Sequence, residues 1–330
     1  MYNGCGDFMK KLVIDENYEN QRIDKYLKKL LCQAPPQLIY KMLRKKDVKV
    51  NGVKVKENYI VKKGDIVELF LYEDKFKEYT KPTNIYNLKI EFEVVYEDEN
   101  ILIVSKPAGL LVHEDINEEM NTLSNQVLTY LYNKGEYDPS STLGFTPGPV
   151  HRLDRNTSGI VIFGKTMRAL QDLNEMMKKR HCIDKTYLTI CKGYMKDADL
   201  IGYMKKDGDR SLVKVVNENT PGALMMHTIV EHLEYKNDFS FIKVKLVTGR
   251  THQIRVHLSS VNHPLIGDSK YGDFELNKYM KKTYHLDHQF LHAHSVTFVK
   301  PIGSLKYLLD KTFICPLPNN LKKIKLDIFK

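Results

Sequence analysis

The sequence predicts an α+β protein in two parts, a small N-terminal α/β module and a larger domain mixing strands with helices. Three observations carry this. At 330 residues, 42% hydrophobic and 28% charged, the chain is long enough for one large core and one small one. Before residue 72, two short amphipathic helices precede a hairpin signal. After residue 90, apolar runs of period two recur between segments of helical spacing.

Ile23, Tyr26, Leu27, Leu30 and Leu31 repeat at helical spacing, with Arg22, Lys25, Lys28 and Lys29 largely around the other face. Pro35 and Pro36 break that helix and open a second, with Leu38, Ile39, Met42 and Leu43 inward. Lys41, Arg44, Lys45 and Lys46 point outward or close it. Val48 to Val55 reads as two alternating strands joined by Asn51-Gly52, because Asn-Gly tolerates the left-handed backbone of a tight hairpin turn. That register sets Val50 opposite Val53 and Lys49 opposite Lys54. Like charges facing across a ladder repel. A solvated sheet face is the plain reading; with Arg44, Lys45 and Lys46 next to it, a surface tuned to sugar-phosphate is the functional one. Ile66 to Leu71 gives a further strand, and residues 73–90, polar and without apolar period, read as a linker with its boundary near Lys81.

In the larger part, Phe92 to Tyr96 and Ile101 to Val104 read as strands around an acidic turn. Leu123, Val127, Leu128 and Leu131 mark one helix. Thr166 reads as the cap of another, with Ala169, Leu170, Leu173 and Met177 on one side and Lys178, Lys179 and Arg180 at its end. Along Ile183 to Cys191, Leu188 and Ile190 share a face and Lys185, Tyr187 and Thr189 the other; with the aliphatic face as core, Tyr187 looks outward. Phe239 to Val247 is a strand running into Thr248-Gly249-Arg250-Thr251, where Gly249 and capping threonines predict a strand-turn-helix junction. On that helix Ile254, Leu258 and Val261 face the core, while Thr251, His252, Arg255 and Ser259 share another side.

The net charge of +10 makes a polyanion the expected partner. A membrane surface is the competing polyanion, but the sequence shows neither a run of about 18 apolar residues nor a signal peptide. Cys5, Cys32, Cys182, Cys191 and Cys315 are scattered and form no Cys-x-x-Cys pair, so a reducing compartment without a disulfide framework is expected. Both point to the cytoplasm. His285, His288, His292 and His294 cluster without metal-site spacing, and no metal is expected.

The stretch with the most chemistry in it runs from His151 to Gly159. It follows a Gly/Pro-rich loop and precedes the apolar run Ile160 to Phe163, so Asp154 is presented on a loop entering a buried strand. Between Arg152 and Arg155 its carboxylate is expected to stay ionised well below neutral pH, a state that suits a nucleophile and not a general acid. A surface ion-pair cluster is the alternative.

His151-Arg152-Leu153-Asp154, two variable positions and Thr157-Ser158-Gly159 resemble the signature of the RluA-type pseudouridine synthases. Lys106-Pro107 through His113 resembles the first motif of that family, Lys185-Thr186-Tyr187 the second, and Thr248 to His257 with His263 to Asp268 and Tyr271-Gly272 the third. Leu12 to Leu71 is similar to the small S-four-like RNA-binding module that often precedes such domains.

The resemblance spans most of the chain. It implies a module over 12–72, a linker over 73–90 and a catalytic domain over 91–328, built as a mixed, mainly antiparallel sheet with flanking helices and a central cleft. It implies conversion of uridine to pseudouridine in RNA, and the chain looks most like synthases of large-subunit (23S) ribosomal RNA. Asp154 is then the catalytic nucleophile, Tyr187 the residue that contacts the base and transfers a proton, and Arg255 the partner of the carboxylate. The target base has to be flipped out of its stack. Arg152 would occupy the vacated place or grip phosphate, with Arg155, Arg250 and His252 also on RNA. Arg44, Lys45, Lys46, Lys49 and Lys54 would supply salt-sensitive affinity. The isomerisation gains no atoms, so no cofactor is expected, and no obligate protein partner is implied. Covalent adduct and elimination through a glycal both remain open. A noncatalytic RNA-binding factor would leave Asp154, Tyr187 and Arg255 free to drift, yet all three are present. A glycosidase would want a second carboxylate as acid, and none accompanies Asp154 in its motif.

Overall fold

The computed structural model describes residues 9–15, 18–80, 85–115, 118–139, 145–179, 181–207 and 212–330. The boundary expected near Lys81, and the readings on Arg180 and Cys5, lie outside the described residues. The chain divides into two compact units, one within 1–90, 125–148 and 164–171, the other within 91–124, 149–163 and 172–330.

The first unit opens with β1 (Met9–Val13), β2 (Gln21–Arg22), α1 (Ile23–Leu30) and α2 (Pro36–Lys45). It continues through β3 (Val48–Val50), β4 (Val53–Lys54), β5 (Ile60–Val61), β6 (Ile66–Phe70) and α3 (Glu73–Tyr79). Both amphipathic helices form where their spacing predicts, and Pro36 occupies the first turn of α2, where its missing N–H costs nothing. The sheet order is β1-β6-β3-β4. In the hairpin Val50 pairs with Val53 and Lys49 with Lys54, as expected. The repulsion is offset on the other side of β3, where Lys49 lies opposite Glu68 of β6. Ile23, Leu27, Leu30, Ile39, Val48, Val67 and Leu69 form the core.

Residues 73–79 are a helix and not the start of an irregular linker. Phe76 enters the core and Tyr79 packs on it, three residues apart on one face. Glu73 and Asp74 stand in the first turn, where the helix dipole favours them, and Lys10 Nζ meets Glu73 at 2.5 Å. Two apolar residues in seven are too few to show a period in sequence.

In chain order the remaining elements are β7 (Glu93–Glu97), β8 (Ile101–Lys106), α4 (Leu123–Asn133), β9 (Gly148–Pro149), β10 (Ser158–Gly164) and α5 (Met167–Lys178). Then come β11 (Ile183–Lys192), β12 (Ala198–Lys206), β13 (Val213–Val216), β14 (Leu224–Lys236) and β15 (Phe239–Leu246). The chain closes with α6 (Gln253–Ser260), α7 (Phe274–Tyr284), β16 (Leu291–Phe298), β17 (Thr312–Ile314) and α8 (Asn319–Phe329). Thr166 accepts from Ala169 N–H at 3.2 Å, the cap its sequence predicts for α5.

The large sheet has eleven strands, and its main path runs β13-β12-β14-β15-β11-β16-β10-β8-β7. β10 and β16 run parallel, while β11 is antiparallel to both β15 and β16, and β14 to both β12 and β15. This is the mixed, mainly antiparallel sheet the resemblance implies. β10 is buried along its whole length, which is why Ile160 to Phe163 is continuously apolar and not alternating.

Two glycines explain how the motifs close on this sheet. Gly159 has φ +108°, and a Cβ on it would lie 2.2 Å from the Ala293 carbonyl oxygen of β16, so only glycine lets β10 come this close. Beside it, His292 Nε2 donates to the Cys315 carbonyl at 2.9 Å, which leaves Nδ1 to accept from the Ser158 hydroxyl at 2.9 Å. Gly267, at φ +75°, passes the His288 carbonyl where a Cβ would lie 2.1 Å from the oxygen.

Candidate active site

Asp154 sits in the loop before β10, and its carbonyl accepts from Thr157 N–H at 3.0 Å. Gln289 Nε2 donates to Thr157 Oγ1 at 3.2 Å and fixes the far side of the same loop. Lys106, at the end of β8, is completely buried, and its Nζ donates to three carbonyls: Pro107 at 2.8 Å, Leu110 at 2.7 Å and Arg155 at 2.8 Å. Gly109 N–H reaches the Arg155 carbonyl too, at 3.0 Å. The first motif therefore clasps the backbone one residue beyond Asp154. Burial lowers the Lys106 pKa to about 7 against the opposing pull of the Asp154 charge.

Arg255 projects from the first turn of α6 and is 5% exposed. Its Nη1 donates to Asp154 Oδ2 at 2.9 Å. Its Nε and Nη2 form a two-pronged bond with Asp268, at 2.7 Å and 2.8 Å. Lys270 and Tyr271 N–H groups add to Asp268 Oδ1 at 2.9 Å and 3.1 Å. Burial works against both charges. The Asp268 hydrogen bonds and charge, with those of Asp154, nevertheless hold Arg255 above the usual arginine range, and Arg255 with the two amides holds Asp268 below the usual carboxylate range.

Thr251 and His252 do not belong to the helix, which begins at Gln253; His252 has left-handed backbone at φ 54° and makes no side-chain cap. The threonine caps expected there are replaced by Gln253. Its Oε1 accepts from Thr248 Oγ1 at 2.7 Å and Arg250 N–H at 3.1 Å, and its Nε2 donates to the His227 carbonyl at 3.0 Å. The turn turns His252 so that Nδ1 lies 2.9 Å from the Tyr271 hydroxyl and Nε2 3.8 Å from Asp154 Oδ2. Burial, aided by Arg255 and Lys270 against the two aspartates, lowers the His252 pKa, so the ring is neutral near pH 7.

Tyr187 of β11 is 7% exposed, not outward-facing. Both faces of β11 are covered, because the motif loops lie over the side opposite Leu188 and Ile190. Burial first, then the Asp154 charge, pushes the phenol well above the ordinary tyrosine value, and it keeps its proton at neutral pH.

A cavity of about 710 Å³ joins these groups: Asp154, Tyr187 and Arg255 line it, and so do Arg152, Arg155, Arg250 and His252. It is the cleft expected from the resemblance. The flanking arginines do not pair with Asp154. Arg152 is exposed, and Arg155 turns to Asp115, its Nη2 3.6 Å from the carboxylate. The partner of Asp154 comes from a helix about 100 residues away in sequence. Arg44, Lys45, Lys46, Lys49 and Lys54 belong to the other unit, where all but Lys49 are exposed. The charges of Lys46 and then Lys49 lower the pKa of Lys54, a sign of how closely these cations crowd. Sequence reasoning missed Asp268 and Lys106 as contributors. Lys106 could have been suspected as a lone cation ending a mostly apolar strand; Asp268 lay inside the third motif without a stated role.

Among the described residues, no group of three or more His, Cys, Asp or Glu is arranged to hold a metal ion, and no helix is long and apolar enough to cross a membrane. His292 has both ring nitrogens engaged, and His294 Nδ1 donates to the Cys315 carbonyl at 2.8 Å.

A mixed sheet with a cleft holding a clamped carboxylate, in a chain that also folds a small basic module, fits an enzyme acting on nucleic acid, and comparison with known proteins makes the class specific. Residues 100–260 match the model of the RNA pseudouridylate synthases, and residues 21–67 that of the S4 domain. An uncharacterized RNA pseudouridine synthase of Mycoplasma genitalium is 34% identical over 297 residues, 88% of this chain and 89% of that protein. The ribosomal large subunit pseudouridine synthase C of Pasteurella multocida is 33% identical over 324 residues, 96% of this chain and 93% of its own length. The solved structure of human RNA pseudouridylate synthase domain containing 4 shares the fold, with a TM-score of 0.55 at 20% identity over 70% of this chain and 92% of that one. The chain belongs to the RNA pseudouridine synthase family, and it is an enzyme that isomerises uridine to pseudouridine in RNA.

Proposed function

We propose that the substrate is large-subunit ribosomal RNA and that Asp154, Tyr187 and Arg255 perform the isomerisation in the cytoplasm. The substrate class rests on relatives such as the Pasteurella multocida protein, similar over nearly the whole chain. The observation that carries the chemistry is the 2.9 Å bond from Arg255 to Asp154 in the wall of an open cavity large enough for a flipped nucleotide.

The reaction breaks the bond from ribose C1′ to N1 of uracil, turns the base, and joins C1′ to C5. N1 gains a proton and C5 loses one, so atoms balance without a co-reactant. Asp154 supplies the negative charge at the ribose–base junction, and Arg255, immobilised by Asp268, orients it. Because Asp268 already neutralises one positive charge, the Arg255 bond positions Asp154 while leaving its other oxygen open to act. Tyr187 carries the C5 proton away. As a neutral phenol it works as a relay, taking one proton while passing on another. Arg152, Arg155, Arg250 and His252 contact the RNA around the flipped base. Residues 12–72 act as a binding module through Arg44, Lys45, Lys46, Lys49 and Lys54, and residues 91–328 as the catalytic domain.

Asp154→Asn keeps the shape and removes the charge. Tritium release from C5-labelled uridine in an unmodified large-subunit ribosomal RNA transcript is expected to stop, with RNA binding within about twofold of wild type. Turnover equal to wild type overturns the assignment. The same assay run with transfer RNA separates the two substrate classes.

A further inference from the structure

Next to the main cavity lies a second one of about 240 Å³, formed by the end of α5, the start of β11 and the turn after β15. Lys178, Lys179, Lys185 and Arg250 stand in its wall, and among the described residues no carboxylate does. Met177, Lys185, Leu246, Gly249 and Arg250 line both cavities and so form the divide between them.

Lys185 is the unusual member. Among the described residues its ammonium has one hydrogen-bond contact, a long one, 3.9 Å from Nζ to Met177 Sδ. The carboxylates of its sequence neighbour Asp184 and of Asp154, which lines the main cavity with it, are committed elsewhere, to Lys245 Nζ at 2.5 Å and to Arg255 at 2.9 Å. His151 is neutral, since burial and then the Lys185 charge lower its pKa to about 3, and its Nε2 accepts from Ile162 N–H at 3.3 Å. Burial also lowers the pKa of Lys185 itself. An ammonium enclosed without an anion costs stability, so a fold that keeps one there leaves a charge to be completed from outside.

We infer that Lys185 and Arg250 form a receptor for one phosphodiester of the RNA strand beside the flipped uridine. The inference rests on the reading of the neighbouring cavity as the uridine site. Gly249 supports it, because it is exposed and a Cβ there would meet nothing nearer than Lys185 Nζ, at 3.8 Å. The glycine leaves open the side from which a phosphate reaches the ammonium. Arg250 Nε is held only weakly, 3.4 Å from the Met225 carbonyl, so the rest of its fork remains available.

The test is binding of an unmodified large-subunit ribosomal RNA transcript, measured by filter retention between about 50 and 200 mM salt. Lys185→Met removes the charge and keeps the bulk. Gly249→Glu keeps the lysine and sets a carboxylate against it, which occupies the place of the phosphate. Each is expected to weaken binding about tenfold and to reduce the slope of log affinity against log salt by about 0.7 to 0.9, the signature of one lost phosphate contact. The unfolding midpoint of Lys185→Met is expected to hold or rise. An unchanged slope in both variants overturns the proposal, and so does a fall in midpoint with the slope unchanged, which makes Lys185 a structural ion. Binding is read without turnover. Wild-type turnover by Asp154→Asn therefore overturns the functional reading alone, and an unchanged salt slope overturns this one alone.

Discussion

In the N-terminal module Arg44, Lys45, Lys46 and Lys54 are exposed and Lys46 crowds Lys54, while in the cleft Arg255 is 5% exposed and meets two carboxylates through three nitrogens. The two regions use positive charge for different ends. A cation in water stays mobile and adds affinity for any phosphate chain, at little cost to the fold. A buried cation has lost its hydration, so its place is fixed by whatever anions repay that loss. On the proposed reading, the module can drift in detail and still bind. The cleft cannot move Arg255 without leaving Asp268 and Asp154 uncompensated.

The sharpest break of this contrast is Arg255→Ala. It strips Asp268, 1% exposed, of its counter-charge, and truncating one partner of a buried pair costs about 3–5 kcal/mol. Urea unfolding is expected to show a loss of that size, together with the loss of tritium release. Arg255→Lys keeps the charge but cannot span both carboxylates with three directed N–H groups, and it is expected to recover stability in part and activity hardly at all. A loss below about 1 kcal/mol for Arg255→Ala would put the cleft arginine in the same class as the module lysines.

Lys106 is the next largest test, and its effect depends on pH. The folded pKa is lowered to about 7, whereas an unfolded lysine titrates near 10.4. Between these values the unfolded chain binds the extra proton, so this group makes stability rise with pH, by at most about 1.4 kcal/mol per unit. Lys106→Met lacks that rise and removes the ammonium bonds to three carbonyls, of which that of Arg155 keeps Gly109 N–H, a loss of roughly 1–3 kcal/mol. Unfolding of both proteins at pH 7.5 and 9.5 checks the sign: the deficit of the variant is expected to widen at the higher pH. A deficit that stays the same means that the carbonyl cage holds Lys106 fully charged throughout.

Much of this was legible in the sequence, for reasons that can be traced. The module helices and the Asn51-Gly52 hairpin are local: their spacing and turn chemistry suffice, and the register of Lys49 and Lys54 came out as expected. The buried strand after Asp154 announced itself as an unbroken apolar run. What could not be read was which distant groups meet. The flanking Arg152 and Arg155 looked like the partners of Asp154 because they adjoin it, yet Arg255 is the residue that touches it; only the resemblance pointed there. Tyr187 looked solvent-facing because alternation shows which residues share a face and not whether that face is covered. Asp268 and Lys106 act through contacts set by Gly267 and by the first-motif turn, and nothing in local periodicity reports a contact made across a sheet.

The smallest effect is expected in the module, and it completes the comparison. Lys45→Ala with Lys46→Ala removes two exposed charges that have no place in a core, so the unfolding free energy is expected to change by less than about 0.5 kcal/mol. RNA affinity is expected to fall several-fold at about 150 mM salt, with the salt slope reduced by roughly 0.7 to 0.9 for each phosphate contact removed. Lys46 is the more informative single site, because its left-handed backbone at φ 70° ends α2 and points the chain into the hairpin. Lys46→Gly relaxes that conformation while removing the charge, so it is expected to hold or slightly raise stability and still weaken binding. If Lys46→Gly binds as tightly as wild type while Lys45→Ala does not, the backbone grip of the module rests on the last turn of α2 and not on the hairpin that follows it.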